Sequence, residues 1–74
     1  MTTEEKVLLL ALMKKEEGET LQDTLLVLEN SRVFTLKEGK KVAKSLKKDG
    51  YIKESQLTFK GMEAAKAAEQ EFKL

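Results

Sequence analysis

Val7 to Met13 are seven apolar residues without a polar break, the longest hydrophobic run in the chain. Thr2 and Glu5 stand at capping-box spacing ahead of it, and Glu4 and Glu5 suit the positive end of a helix dipole. The pattern therefore predicts a first helix beginning near Thr2 or Thr3. An uninterrupted run sets apolar side chains all round a helix, so more than one face needs cover. The domain core covers one side; either the same core or a partner chain covers the rest. Lys14 and Lys15, then Glu16 to Glu19 around Gly18, predict a stop and a turn.

A second helix starts near Thr20, with Asp23 three residues on, and Leu21, Leu25 and Leu28 share one face. Asn30 and Ser31 end it, and Arg32, Val33 and Phe34 read either as a short extended segment or as the turn into the next helix. The third helix is the clearest. Thr35 and Glu38 form a capping box, and Gly50 after Asp49 supplies a left-handed cap. At about 100° per residue, Leu36, Gly39, Val42, Ala43 and Leu46 fall on one apolar arc. Lys37, Lys41, Lys44 and Lys48 fall opposite, with Lys40 and Lys47 on the margin. Tyr51 to Lys53 and Leu57 to Phe59 alternate around Glu54, Ser55 and Gln56 and predict a tight hairpin with about three turn residues. Thr58 then caps a last helix from about Lys60 to Phe72, with Met62, Ala65, Ala68 or Glu69, and Phe72 along its inner face.

The chain has 74 residues, enough for one small domain spanning 1–74. It contains no cysteine and no histidine, which removes disulfides, cysteine metal sites and the commonest general base. No cluster of Lys, Asp and Glu falls among apolar residues that would perturb its titration, so neither enzyme activity nor a metal or cofactor site is expected. The apolar run is far short of a membrane span, and acids precede it where a signal peptide is basic. A soluble, cytoplasmic protein is expected.

Net charge is only +1, but its distribution is uneven. Residues 1–31 carry three lysines against seven acids, whereas residues 32–60 carry nine basic residues against three acids. Asymmetry of this kind bears on association. The third helix is also self-repulsive. Its six lysine pairs at spacings of three and four cost roughly 1–3 kcal/mol before salt screening. An anionic partner would turn that cost into binding energy.

The segment Leu46-Lys47-Lys48-Asp49-Gly50-Tyr51-Ile52, followed by Leu57-Thr58-Phe59-Lys60-Gly61, resembles winged helix-turn-helix regulators of the MarR type, best over residues 35–65. The resemblance implies a mostly α fold with a small β-hairpin: a three-helix core, a short wing and a C-terminal helix. It also implies that residues 21–30 support residues 36–49 as a DNA-recognition helix, with the hairpin as the wing. Two features depart from that family. The wing is short, and the long flanking helices that build the family's dimer are mostly missing, so no small-molecule ligand is expected.

Double-stranded DNA is the simplest anionic partner, because lysines neutralise phosphates and release counterions. The expected contacts are Lys37, Lys40, Lys41, Lys44, Ser45 and Lys48, extended by Arg32 and Lys53 on the resemblance. No Arg, Asn or Gln lies on the exposed face of the third helix to bind a base edge bidentately, so low base specificity is expected. This describes a small transcriptional regulator or DNA-associated factor. The alternative is a winged-helix interaction module that binds an acidic protein surface or serves as a complex subunit. The apolar first helix, with Phe72 and Leu74 at the far end, suggests a homodimer through the first or last helix in either case.

Overall fold

The computed structural model describes residues 1–73; Leu74, expected to contribute to a subunit contact, lies outside the described residues. Among them the element order is α1 (Thr3–Lys14), α2 (Leu21–Asn30), α3 (Leu36–Lys48), β1 (Ile52–Lys53), β2 (Gln56–Leu57) and α4 (Phe59–Phe72). The fold is mostly helical, with one two-stranded antiparallel sheet. Every helix begins at a threonine cap. Thr2, Thr20 and Thr35 each complete a capping box with Glu5, Asp23 and Glu38, and the Thr58 hydroxyl accepts the Gly61 N–H. Each box satisfies two backbone donors that a helix start leaves open.

Helices α2 and α3 end in the same way. The Gly50 N–H donates to the Lys47 carbonyl and the Tyr51 N–H to the Leu46 carbonyl, which is a Schellman closure around a left-handed Gly50 at φ 83°. After α2 the Arg32 and Val33 N–H groups repeat that pattern onto Glu29 and Leu28, with Arg32 at φ 61° in the glycine position. Residues 32–34 are therefore a turn, and the extended alternative is excluded. The turn drops Phe34 into the core, where its ring lies against Gly39 and Leu25.

The hairpin pairs Ile52 with Leu57 and Lys53 with Gln56. Its loop is Glu54-Ser55, two residues rather than the three expected, because Gln56 is drawn into the ladder opposite Lys53. Glu54 sits at φ 56°, and left-handed residues in two-residue loops match the twist of the flanking strands. The strands are also shorter than expected, and Phe59 belongs to α4.

Helix α1 lies at the centre, packed against α2, α3, α4 and β2. Leu8, Leu9 and Leu46 are fully buried, and Val7, Ala11 and Met13 pack against the same core. The apolar run is thus covered largely from within the chain. Helix α4 packs on α1 and buries Gly61, Ala65 and Ala68, with Gly61 against Tyr51 and Leu57. Phe72 continues that stripe but is 45% exposed, contrary to the inner position expected. The last turn extends past the core, and Phe72 lies at the rim beside Leu10 and Lys14. No helix among the described residues is long and apolar enough to cross a membrane.

Candidate nucleic-acid interface

Helix α3 is held by its apolar arc. Gly39, Ala43 and Leu46 are buried, and Leu36 and Val42 are half-buried against the core. Gly39 is needed for the approach of α2, since a Cβ there would stand 2.6 Å from Phe34 Cε1 and 3.0 Å from Leu25 Cδ2. With that side fixed, Lys37, Lys40, Lys41, Lys44, Lys47 and Lys48 are all exposed, as is Ser45. None is in an ion pair with another described residue. Among the described residues the ion pairs are Lys6–Glu71 at 2.6 Å and Lys14–Glu69 at 3.2 Å, both between α1 and α4.

Two carboxylates occupy the start of α3. Glu38 accepts the Thr35 N–H at 2.8 Å, and Glu29 reaches across from α2 to accept the Leu36 N–H at 2.7 Å. The bond to the Thr35 backbone holds the Glu38 carboxyl below the usual glutamate value. The Thr35 side chain acts in the same direction, desolvation opposes both, and the charge of Lys41 adds the smallest lowering. Glu29 fixes the start of α3 against α2, so it positions the lysine face without belonging to it. The sequence carries no local signal for this role, because the seven-residue reach exists only once the Arg32 turn has formed.

The lysine face divides into two flanks. Lys40, Lys44 and Lys47 border a groove of about 520 Å³ between α3, the start of α2 and the hairpin loop. Leu21, Leu25 and Ala43 lie along its bottom, and Thr20, Gln22 and Ser55 form its far side. Ser55 Oγ accepts the Leu21 N–H at 2.9 Å, which ties the hairpin loop to α2. On the other flank, Lys41, Val42 and Ser45 line a shallow cleft with Glu5 of α1 and its cap Thr2. The residues expected to act together have different neighbours along the two sides of the helix. Lys41 and Ser45 face α1, while Lys40 and Lys44 face α2. Lys47, left among the flanking residues on sequence alone, joins the groove, because the margin of the helical wheel where it falls is where α2 begins.

Arg32 and Lys53 are both exposed and bracket α3, one in the turn before it and one on β1 after it. Lys60 has a structural role that the sequence reading missed. Its ammonium donates to the Asp49 carbonyl at 2.8 Å and lies 4.4 Å from the centre of the Tyr51 ring, securing the end of α3. Among the described residues no cluster of three or more acids could hold a metal ion. Compared with protein families, curated proteins and solved structures, the chain matches none.

Proposed function

We propose that the chain is a winged helix-turn-helix DNA-binding protein of the MarR type, with α2 and α3 as its helix-turn-helix and residues 52–57 as a short wing. In this reading α3 contacts the phosphate backbone with little base discrimination, and the protein is a small transcriptional regulator or DNA-associated factor. One observation carries it. All six lysines of α3 are exposed, and none has an ion-pair partner among the described residues, although the chain contains 13 acids. A helix kept only soluble would be better served by acids spaced among its lysines.

The test is titration of a labelled mixed-sequence duplex at low and moderate salt, with polyglutamate as competitor. Binding should weaken steeply with salt, as counterion release requires. The double variant Lys40→Glu, Lys44→Glu should keep its helical signal and lose binding. No binding by the wild type at low salt refutes the reading. Equal displacement by polyglutamate at matched charge does so too, and selects the acidic-protein alternative.

A further inference from the structure

We infer that the phosphate backbone is held on one flank of α3, in the groove lined by Lys40, Lys44 and Lys47, rather than across its whole lysine face. The inference rests on the DNA reading above and assigns the contacts within it. It follows from where the structure puts the acids around α3.

Three borders of the helix differ. At its start, the carboxylates of Glu29 and Glu38 take the Leu36 and Thr35 N–H groups, so the first turn that carries Lys37 presents negative charge where a bare helix start attracts anions. Along the α1 flank, Glu5 lines the cleft that holds Lys41 and Ser45, and Glu38 lies close enough to Lys41 to feel its charge. Along the α2 flank, three lysines face Thr20, Gln22 and Ser55, and among the described residues no carboxylate lines the groove. Asp23, next to Gln22 in sequence, is turned back onto the Thr20 N–H at 2.9 Å, as Glu5 is onto the Thr2 N–H at 2.7 Å; the flanks differ in that Glu5 lines its cleft and Asp23 does not line the groove.

Lys40, Lys44 and Lys47 occupy successive turns at spacings of four and three, so their ammonium groups follow one edge of the helix. An extended polyanion lying in the groove meets all three. It also meets the neutral hydrogen-bonding groups of Gln22 and the hairpin loop opposite. A strand placed across Lys37 and Lys41 instead lies beside Glu5, Glu29 and Glu38. Phosphodiester backbone is the occupant whose charge complements the groove.

A lysine-to-glutamine scan at positions 37, 40, 41, 44 and 47 tests this. Binding of labelled duplex is measured across a salt series, with circular dichroism to establish that each variant is folded. Removing one phosphate contact subtracts about 0.9 from the log–log salt slope, which corresponds to about an eightfold loss of affinity at about 0.1 M salt. Lys40→Gln, Lys44→Gln and Lys47→Gln should each show both effects. Lys37→Gln and Lys41→Gln should stay within about twofold of wild type with the slope unchanged. Equal losses at all five positions, or larger losses at 37 and 41, overturn the flank assignment and leave the DNA reading standing. A wild type that does not bind duplex at all removes both.

Discussion

Replacing Gly61 with alanine should destabilise the domain, although helix propensity alone predicts the opposite. Gly61 is buried in the first turn of α4, directly against Tyr51 and the β2 residue Leu57. A Cβ at this position would overlap the Tyr51 carbonyl oxygen, lie 2.9 Å from that carbonyl's carbon and 3.1 Å from Leu57 Cδ2. Carbon atoms pack at about 3.5–4.0 Å. Helix α4 must therefore withdraw by at least about 0.6 Å, and the obstacle is backbone, which cannot rotate aside. That withdrawal strains the junction made by the Thr58 N–H on the Tyr51 carbonyl and the Thr58 hydroxyl on the Gly50 carbonyl. Overpacking costs typically 1–3 kcal/mol, and weakening one hydrogen bond about 1 kcal/mol more. Alanine returns about 1 kcal/mol through its helix preference. The net loss is about 1–3 kcal/mol, or a fall of roughly 5–25 °C in Tm for a domain of this size. Thermal melting followed by circular dichroism reads it directly. A Tm equal to or above wild type would refute the packing argument. Gly39→Ala should also lower Tm, because its Cβ would stand 2.6 Å from Phe34 Cε1 and 3.0 Å from Leu25 Cδ2, both buried in the core, although there the obstacle is side chain and not backbone.

Arg32→Gly should raise Tm, since a left-handed arginine costs roughly 1–2 kcal/mol relative to glycine; on the DNA reading it should also weaken duplex binding, and a lower Tm would show that the arginine side chain supports the turn. Thr35→Ala should lower Tm and move the Glu38 pKa up toward 4.5, its ordinary value, when followed by NMR titration. Because the folded pKa is depressed, the Glu38 contribution is complete above the unfolded value and disappears as pH falls through the folded one. The Thr35 N–H stays in the variant, so the Tm gap should narrow only in part below about pH 4.5, and a Glu38 pKa unmoved by the substitution would contradict the contribution of the Thr35 side chain. A homodimer through α1 or α4 should use Leu10 and the exposed Phe72, so sedimentation should give twice the 8.4 kDa chain mass and Phe72→Glu should halve it; a wild-type monomer at high concentration removes that interface.

What sequence reading reached and missed follows from the range of the interactions concerned. The four threonine caps, the apolar arc of α3 and the glycine closure at Gly50 are built in steps of five positions or fewer along the chain. Their spacing announced them. The closure at Arg32 uses the same hydrogen bonds as that at Gly50 but has no glycine to mark it, so the turn stayed ambiguous with a strand. The two-residue hairpin loop places a glutamate where Asn or Gly is usual, and the loop was read one residue too long. Phe72 keeps the helical period of the α4 stripe, but a period says nothing of where the neighbouring helix stops. The same limit applies to the lysine face. A helical wheel separates buried from exposed, yet it cannot tell a flank bordered by Glu5 from one bordered by Gln22 and Ser55.

The acids that secure α3 also decide what its lysines can do. A helix with six unpaired lysines must recover roughly 1–3 kcal/mol of mutual repulsion, and a domain of this size has only about 4–11 kcal/mol in total. Spacing acids among the lysines would remove the repulsion and the positive face with it. The structure instead puts its compensating carboxylates at the helix start, where Glu38 and Glu29 each satisfy a backbone donor and suit the helix dipole. Lys47 and Lys48 suit the dipole at the opposite end. Stability is thus concentrated at the ends of α3 and along its buried arc, and the middle of its outer face is left positive. On the proposed reading this division is what allows one short helix to be both a folding element and an anion-binding edge. It also shifts the contact away from the first turn, where helix-turn-helix proteins usually read bases, toward backbone contacts that carry affinity without sequence information.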